Sequence, residues 1–161
     1  MYQIIRTQNV GIGEWVCDRT GGTWAAEATT SLGIAQDSIL IAGVLYDNFN
    51  GANIQMHVAA EAGKYWLTKE FLYEVFFYPF EYLQCRRATA IIPSSNAASL
   101  NICRRLGFTQ EAVLKEAHPE GDLLVFSLLK TDCKWLKLKL RGTTHGQGIR
   151  SSSTGLQSSR N

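Results

Sequence analysis

No stretch of the sequence approaches the roughly 20 uninterrupted apolar residues that a membrane-spanning helix needs. The start, MYQIIRTQN, has no basic flank followed by an apolar run, so the expectation is a cytosolic protein without a membrane partner. The patterns GxxxxGK[ST], HExxH and GxSxG are absent, which removes the usual signatures of P-loop nucleotide hydrolysis, zinc proteolysis and the hydrolase nucleophile elbow. Cysteine is sparse. Cys17, Cys85, Cys103 and Cys133 are widely spread, form no CxxC pair and have no histidine at ligand spacing, so neither a disulfide framework nor a metal site is expected. They read as buried thiols, and none has a context that argues for a lowered thiol pKa.

What is present is the profile of one globular domain: 161 residues, 45% hydrophobic, 11% aromatic and 19% charged. The net charge is +2. Three of the 16 basic residues, Arg141, Arg150 and Arg160, lie in the last stretch with no acid beside them, which leaves thirteen bases against 14 acids in residues 1–140. The body is therefore near neutral. Residues 141–161 hold four Gly, five Ser and three Thr with only Ile149 and Leu156 as aliphatic anchors, too few to offset the entropy of ordering them. This segment is expected to be a disordered tail behind a domain of residues 1–140, and nucleic acid, whose only basic footprint is that tail, ranks last among partners.

Along the body, Tyr2–Arg6 reads as a short strand and Glu14–Arg19 as a short helix before the Gly21-Gly22 break. From Ser38 a hairpin is expected: SILIAGVLYD is apolar and β-rich, Asn48–Gly51 is a turn cluster, and Asn53–Ala60 resumes a strand. Two-residue alternation places Gln55 and His57 on one face of that strand. Thr68 is a plausible N-cap for a helix whose Phe71, Leu72, Val75, Phe76, Phe80 and Leu83 recur at helical spacing, with Pro79 kinking or tightening its last turn. A strand from Arg87 follows, making a crossover between parallel strands. Ser95 or Asn96 then caps a helix that ends at Leu106-Gly107, with Phe108 placed to touch Cys103. Two antiparallel strands around Gln110–Glu116 and Asp122–Lys130 flank the turn HPEGD, and TDCKWLKLKL reads as a short terminal helix.

The run Asn96-x-x-Ser99 with Arg104-Arg105-Leu106-Gly107-Phe108, followed by Glu111-Ala112-Val113-Leu114 and Asp122-Leu123-Leu124, resembles the C-terminal half of the GNAT N-acetyltransferases. In appearance it is nearest to the ribosomal-protein alanine acetyltransferases. The hairpin IAGVLYDNFNGANIQMHVA, the YPF helix and Cys133-Lys134-Trp135-Leu136 are similar to GNAT-like proteins of tailed bacteriophages. Altogether the resemblance covers about residues 38–136. It implies an α/β (α+β) fold, a mixed central sheet flanked by helices whose two central parallel strands, here Asn53–Ala60 and Arg87–Ile92, splay apart to admit acetyl-CoA. The place agrees with the general siting of ligands beyond the carboxyl ends of strands in open α/β sheets. One departure is plain. The family's Gln/Arg-x-x-G-x-G/A loop is missing, and Glu61-Ala62-Gly63-Lys64-Tyr65-Trp66-Leu67-Thr68 stands there instead. A helix N-terminus still offers N–H groups to an anion, with Lys64 adding a charge.

The resemblance implies that Val58, Ala59 and Ala60, then Gly63, Lys64, Trp66 and Thr68, and finally Asn96, Ser99 and Arg104 contact acetyl-CoA. Asn96 would hydrogen-bond the pantetheine arm and Ser99 would face the leaving thiolate. An amine must be neutral to attack a thioester, so a general base is needed. His57 is the first candidate by strand position and titration range, and Glu61 the second. Each has a plainer reading: His57 a hydrogen-bonded strand residue, Glu61 an exposed acid, Asn96 an N-cap, Ser99 a surface residue, Arg104 and Arg105 partners of the helix dipole. The aromatic cluster Phe71, Phe76, Phe77, Tyr78, Phe80 and Tyr82 reads as core, with Tyr78 and Trp66 as candidate pocket walls and His118 bordering the acceptor side. The activity expected is acetyl transfer from acetyl-CoA to an amine, a protein N-terminus or a small molecule, by direct attack in a ternary complex. The competing expectation is a non-catalytic GNAT-like protein, of phage type, that binds a host protein or acyl-CoA. A homodimer is left open.

Overall fold

The computed structural model describes residues 1–6, 10–22, 24, 25 and 27–138. The expected tail, residues 141–161, lies outside them. Seven strands form one mixed sheet in the order β1-β2-β3-β4-β5-β7-β6, where β1 is Tyr2–Ile5, β2 Thr30–Gln36, β3 Ile39–Asp47, β4 Asn53–Ala60, β5 Arg87–Pro93, β6 Thr109–His118 and β7 Gly121–Leu129. Every neighbouring pair is antiparallel except β4 and β5. The helices are α1 (Val10–Thr20), α2 (Lys69–Phe77) and α3 (Ala97–Leu106). This is the mixed sheet flanked by helices that the resemblance implies.

β2 was not expected. Its sequence, TSLGIAQ, has a glycine at its centre and little β-branched character, yet it pairs along its length with β3. The small residues are required by α1, which lies across β2, β3 and β4. A Cβ on Gly33 would meet Ile12 Cδ1 at 2.9 Å, and one on Gly43 would meet Val16 Cγ2 at 2.7 Å. On this face Ile12, Val16 and Cys17 of α1 bury against Leu45 and Ala59. The opposite face carries the main core, where Met56, Phe71, Phe76, Phe80, Leu100, Leu106 and Phe126 gather under α2 and α3.

α2 begins as expected, with the Thr68 hydroxyl oxygen accepting from Phe71 N–H at 3.2 Å. Its end differs. Pro79 does not tighten the last turn; the chain widens into a π-helical turn over Tyr78–Tyr82, closed by Leu83 N–H donating to Tyr78 C=O at 3.0 Å. Proline lacks the N–H that a regular turn would use, and the wider turn keeps Phe80 fully buried and stacked on Phe76. α3 carries the expected punctuation: Asn96 accepts from Ser99 N–H, Gly107 is left-handed at φ 104°, and Phe108 N–H reaches Cys103 C=O at 3.2 Å. The expected terminal helix is instead two 3-10 turns, Lys130–Asp132 and Lys134–Lys137. There Trp135 Nε1 donates to Leu106 C=O at 2.7 Å and its ring stacks against Phe76.

Candidate active site

The parallel pairing of β4 with β5 covers only Asn53–Arg87, Ile54–Ala88 and Gln55–Thr89. Beyond it β4 stays paired to β3 as far as Ala60 with Ala42, and β5 to β7 as far as Pro93 with Leu123. The two strands therefore part from each other while each remains held on its outer side. His57–Ala60 and Ala90–Pro93 border the opening, in the middle of the sheet and at its carboxyl ends. Both following helices start there, α2 behind the loop 61–68 and α3 behind Ser94–Asn96.

The sequence-predicted residues divide between this mouth and other places. Val58 and Ala60 face the main core and Ala59 the α1 side, by strand alternation. Gly63 is exposed in a left-handed turn at φ 73° with nothing within 4 Å of an added Cβ, so conformation rather than space calls for glycine. Lys64 is exposed beside it. Trp66 is buried, edge-on to Phe71 at 6.2 Å, and so is core rather than an open pocket wall. Thr68 and Asn96 both serve as N-caps. Asn96 Oδ1 accepts from Ser99 N–H at 3.0 Å, which ties the two residues of the motif together, and the Ser99 side chain is half-buried. Arg104 is elsewhere. It lies eight positions after the α3 cap, about 12 Å along the helix axis, and its guanidinium sits 5.7 Å from the Phe126 ring centroid.

Glu61 accepts from the Arg19 guanidinium at 2.7 Å, and that guanidinium lies 3.8 Å from the Trp15 ring centroid, so Glu61 fastens the end of β4 to α1. His57 is the first residue past the paired section on the α1 side. Its Nε2 is 3.0 Å from Asp47 Oδ2, with the two side chains 23% and 25% exposed. Asp47 in turn accepts from Asn48 Nδ2 at 3.3 Å, and the same Nδ2 reaches Gln55 Oε1 at 3.2 Å. Sequence reasoning missed Asp47. The signal was present, because hairpin register pairs Asp47 with Gln55 and thus sets it diagonally beside His57 on one face. The buried Cys17 thiol is pushed up, by burial first and then by Asp18, Asp47 and Glu14, which shows these three acids clustered near α1 and β3.

On the same face a polar row continues onto β5, β7 and β6. Thr89 donates to Asn53 Oδ1 at 2.6 Å and accepts from Arg87 Nε at 3.0 Å. Arg87 grips Glu111 with both terminal nitrogens, at 2.8 Å and 2.6 Å, and the Ser127 hydroxyl donates to the same carboxylate. Arg87, and after it Ser127, hold the Glu111 carboxyl below the usual carboxylate range.

The remaining candidates fall outside the mouth. All four cysteines are free and buried, and burial raises each thiol, that of Cys103 to about 12. Tyr78 does line a cavity, of about 430 Å³, together with Tyr46, Tyr82 and the Arg6–Glu74 ion pair. That cavity is at the paired end of the sheet, since Tyr46 stands opposite Met56 near the start of β4. His118 accepts from Glu120 N–H at 3.2 Å and so organises its own turn.

No helix among the described residues is long and apolar enough to cross a membrane. No family model and no curated protein matches the sequence. Solved structures do match in fold. Mutant forms of the spermidine/spermine N-acetyltransferase SpeG from Vibrio cholerae superpose with a TM-score of 0.66 at 12% identity, over 85% of this chain and 98% of theirs. The ribosomal-protein-S18-alanine N-acetyltransferase from Escherichia coli gives 0.62 at 14%, over 80% and 94%. The N-acetyltransferase PseH from Campylobacter jejuni, solved with acetyl coenzyme A, gives 0.52 at 17%, over 64% and 69%. The chain therefore has the GNAT acetyltransferase fold, at identities that speak for the fold alone.

Proposed function

We propose that this chain, built on the GNAT fold, transfers an acetyl group from acetyl-CoA to an amine in a ternary complex, with the thioester held in the opening between β4 and β5. The observation that carries the reading is the early end of the β4–β5 ladder, which leaves His57–Ala60 and Ala90–Pro93 unpaired with each other beside the starts of α2 and α3. Val58–Ala60 would line the pantetheine arm, and the Asn96–Ser99 end of α3 would flank the sulfur. In place of a glycine loop, the diphosphate would meet the free N–H groups of α2 and the exposed Lys64.

In the chemical step the amine nitrogen attacks the thioester carbonyl, forming the C–N bond. His57 takes a proton from that nitrogen. Collapse of the tetrahedral intermediate breaks the C–S bond, and the thiolate accepts a proton from the Ser99 side of the mouth. The raised, buried thiols of the protein support direct transfer over a cysteine-linked intermediate, because the thiolate and not the thiol is the nucleophile. Glu61, occupied by Arg19, is the weaker base candidate. The acceptor is an amine that enters from the α1 side of the sheet, a protein N-terminus or a small molecule.

The test is release of CoA thiol by the purified chain across a panel of primary amines, against His57→Ala. Turnover in the parent and a loss of about 10²- to 10⁴-fold in the variant, with acetyl-CoA affinity kept, is the expected result. Equal turnover in both removes His57 from the mechanism. The missing loop glycines favour one other reading, a GNAT-fold protein that binds a partner protein or acyl-CoA without turnover, for which no amine of the panel would release CoA thiol.

A further inference from the structure

We infer that Asp47 is a positioning residue for His57, fixing the imidazole as the Nε2–H tautomer so that Nδ1 is the atom that takes the acceptor's proton. The inference rests on His57 being the base. Three observations on one sheet face carry it. Asp47 closes β3 and His57 lies in β4, and the register that pairs Asp47 with Gln55 and Leu45 with His57 makes the two a diagonal cross-strand pair joined by the β3–β4 backbone ladder. Asp47 Oδ2 lies 3.0 Å from Nε2, whereas Nδ1 has no hydrogen-bond partner among the described residues. A carboxylate only accepts, so in the neutral ring the proton must sit on Nε2 and the lone pair on Nδ1. Finally, Asp47 is itself oriented by Asn48 Nδ2, which also bonds Gln55.

The proton account then balances. The amine gives its proton to Nδ1 as the C–N bond forms, the Nε2–H stays donated to Asp47, and the imidazolium charge develops beside a carboxylate. Both side chains are about three-quarters buried, so the pair is partly shielded from water while the ring remains within reach of a substrate. In a buried Ser-His-Asp triad, replacing the carboxylate by its amide costs roughly 10⁴-fold through the wrong tautomer. For this partly exposed pair the expected loss is smaller than in the triad, about 10- to 100-fold.

The experiment uses the full chain labelled with ¹⁵N-histidine. Long-range ¹H–¹⁵N spectra of the neutral form assign the tautomer of His57, with His57→Gln identifying its signals among the three histidines. The parent should show Nε2–H, Asp47→Asn a mixture with Nδ1–H gained, and Asp47→Glu the parent tautomer. With saturating acetyl-CoA and n-butylamine as the amine probe, Asp47→Asn should lower kcat and leave the KM for acetyl-CoA unchanged, with recovery in Asp47→Glu. An unchanged tautomer in Asp47→Asn overturns the assignment, whatever the rate with that probe. If His57→Gln loses turnover while Asp47→Asn keeps both tautomer and rate, only the role of Asp47 fails. If His57→Gln keeps the parent rate, the base itself has been misassigned.

Discussion

Gly43 offers a direct test of how α1 is seated beside the mouth. Its backbone does not take the left-handed conformation, so alanine fits the local geometry and would gain about 0.4–1 kcal/mol by restricting the unfolded chain. Against that, its Cβ would lie 2.7 Å from Val16 Cγ2 and 3.2 Å from Ile12 Cγ2, and Val16 is fully buried. Overpacking of this kind costs about 1–3 kcal/mol. The net expectation for Gly43→Ala is a loss of about 0.5–2 kcal/mol, or a fall in Tm of roughly 1–8 °C for a domain of this size. The mechanism is separable by a second change. Val16→Ala alone removes two methyl groups and costs about 1.6 kcal/mol before any cavity cost, but it also clears the space that the new Cβ needs. In that background Gly43→Ala should be neutral or stabilising, a coupling of about 1–3 kcal/mol between the sites. Thermal melts followed by circular dichroism on the four proteins measure it. Strict additivity, or a rise in Tm for Gly43→Ala alone, would refute the close approach of α1 to β3.

Asn96→Ala removes the α3 cap and should cost about 1 kcal/mol, near 3 °C in Tm. Asn96→Asp keeps the acceptor and should be close to the parent; equal melting of the alanine variant would show that the cap is not holding the helix. For Glu111 the native carboxyl lies below its ordinary value, so its contact with Arg87 and Ser127 contributes stability that is complete above the unfolded carboxylate range, about pH 4.3, and is lost as pH falls through the lower native value. Tm measured from pH 7 down to pH 3 should therefore decline more gently in Glu111→Gln than in the parent. Parallel curves would remove this pair from the acid response. Tyr46→Phe deletes the hydroxyl that donates to Val75 C=O at 2.8 Å in the core, and a loss of about 1–2 kcal/mol in chemical denaturation is expected.

The elements with local punctuation were legible from sequence: the Asn48–Gly51 turn between β3 and β4, the Thr68 cap, and the Asn96 to Gly107 frame of α3. Each is encoded by a few neighbouring residues with fixed roles. β2 was hidden because its glycine and small polar residues answer to the weight of α1 above it, a tertiary demand that overrides strand propensity. The π-helical turn at Pro79 was half legible: the missing donor announced a break, while the choice of a wider turn depended on burying Phe80. At the mouth, the strand and helix termini were foreseen by position. The partners of His57 and Glu61 were not, since Asp47 and Arg19 stand 10 and 42 residues away and meet them only through hairpin register and helix docking. Arg104 lies about 12 Å along α3 from the Asn96 cap, a separation that the helix rise alone sets.

The central claim is that the gap between β4 and β5 takes the thioester arm of acetyl-CoA. Isothermal titration of the purified chain with acetyl-CoA measures this directly. One-to-one binding heat is expected, weakened in Lys64→Ala and more so as salt is raised, because part of the diphosphate affinity would rest on an exposed charge. Absence of heat and of any thermal shift at millimolar acetyl-CoA would contradict it.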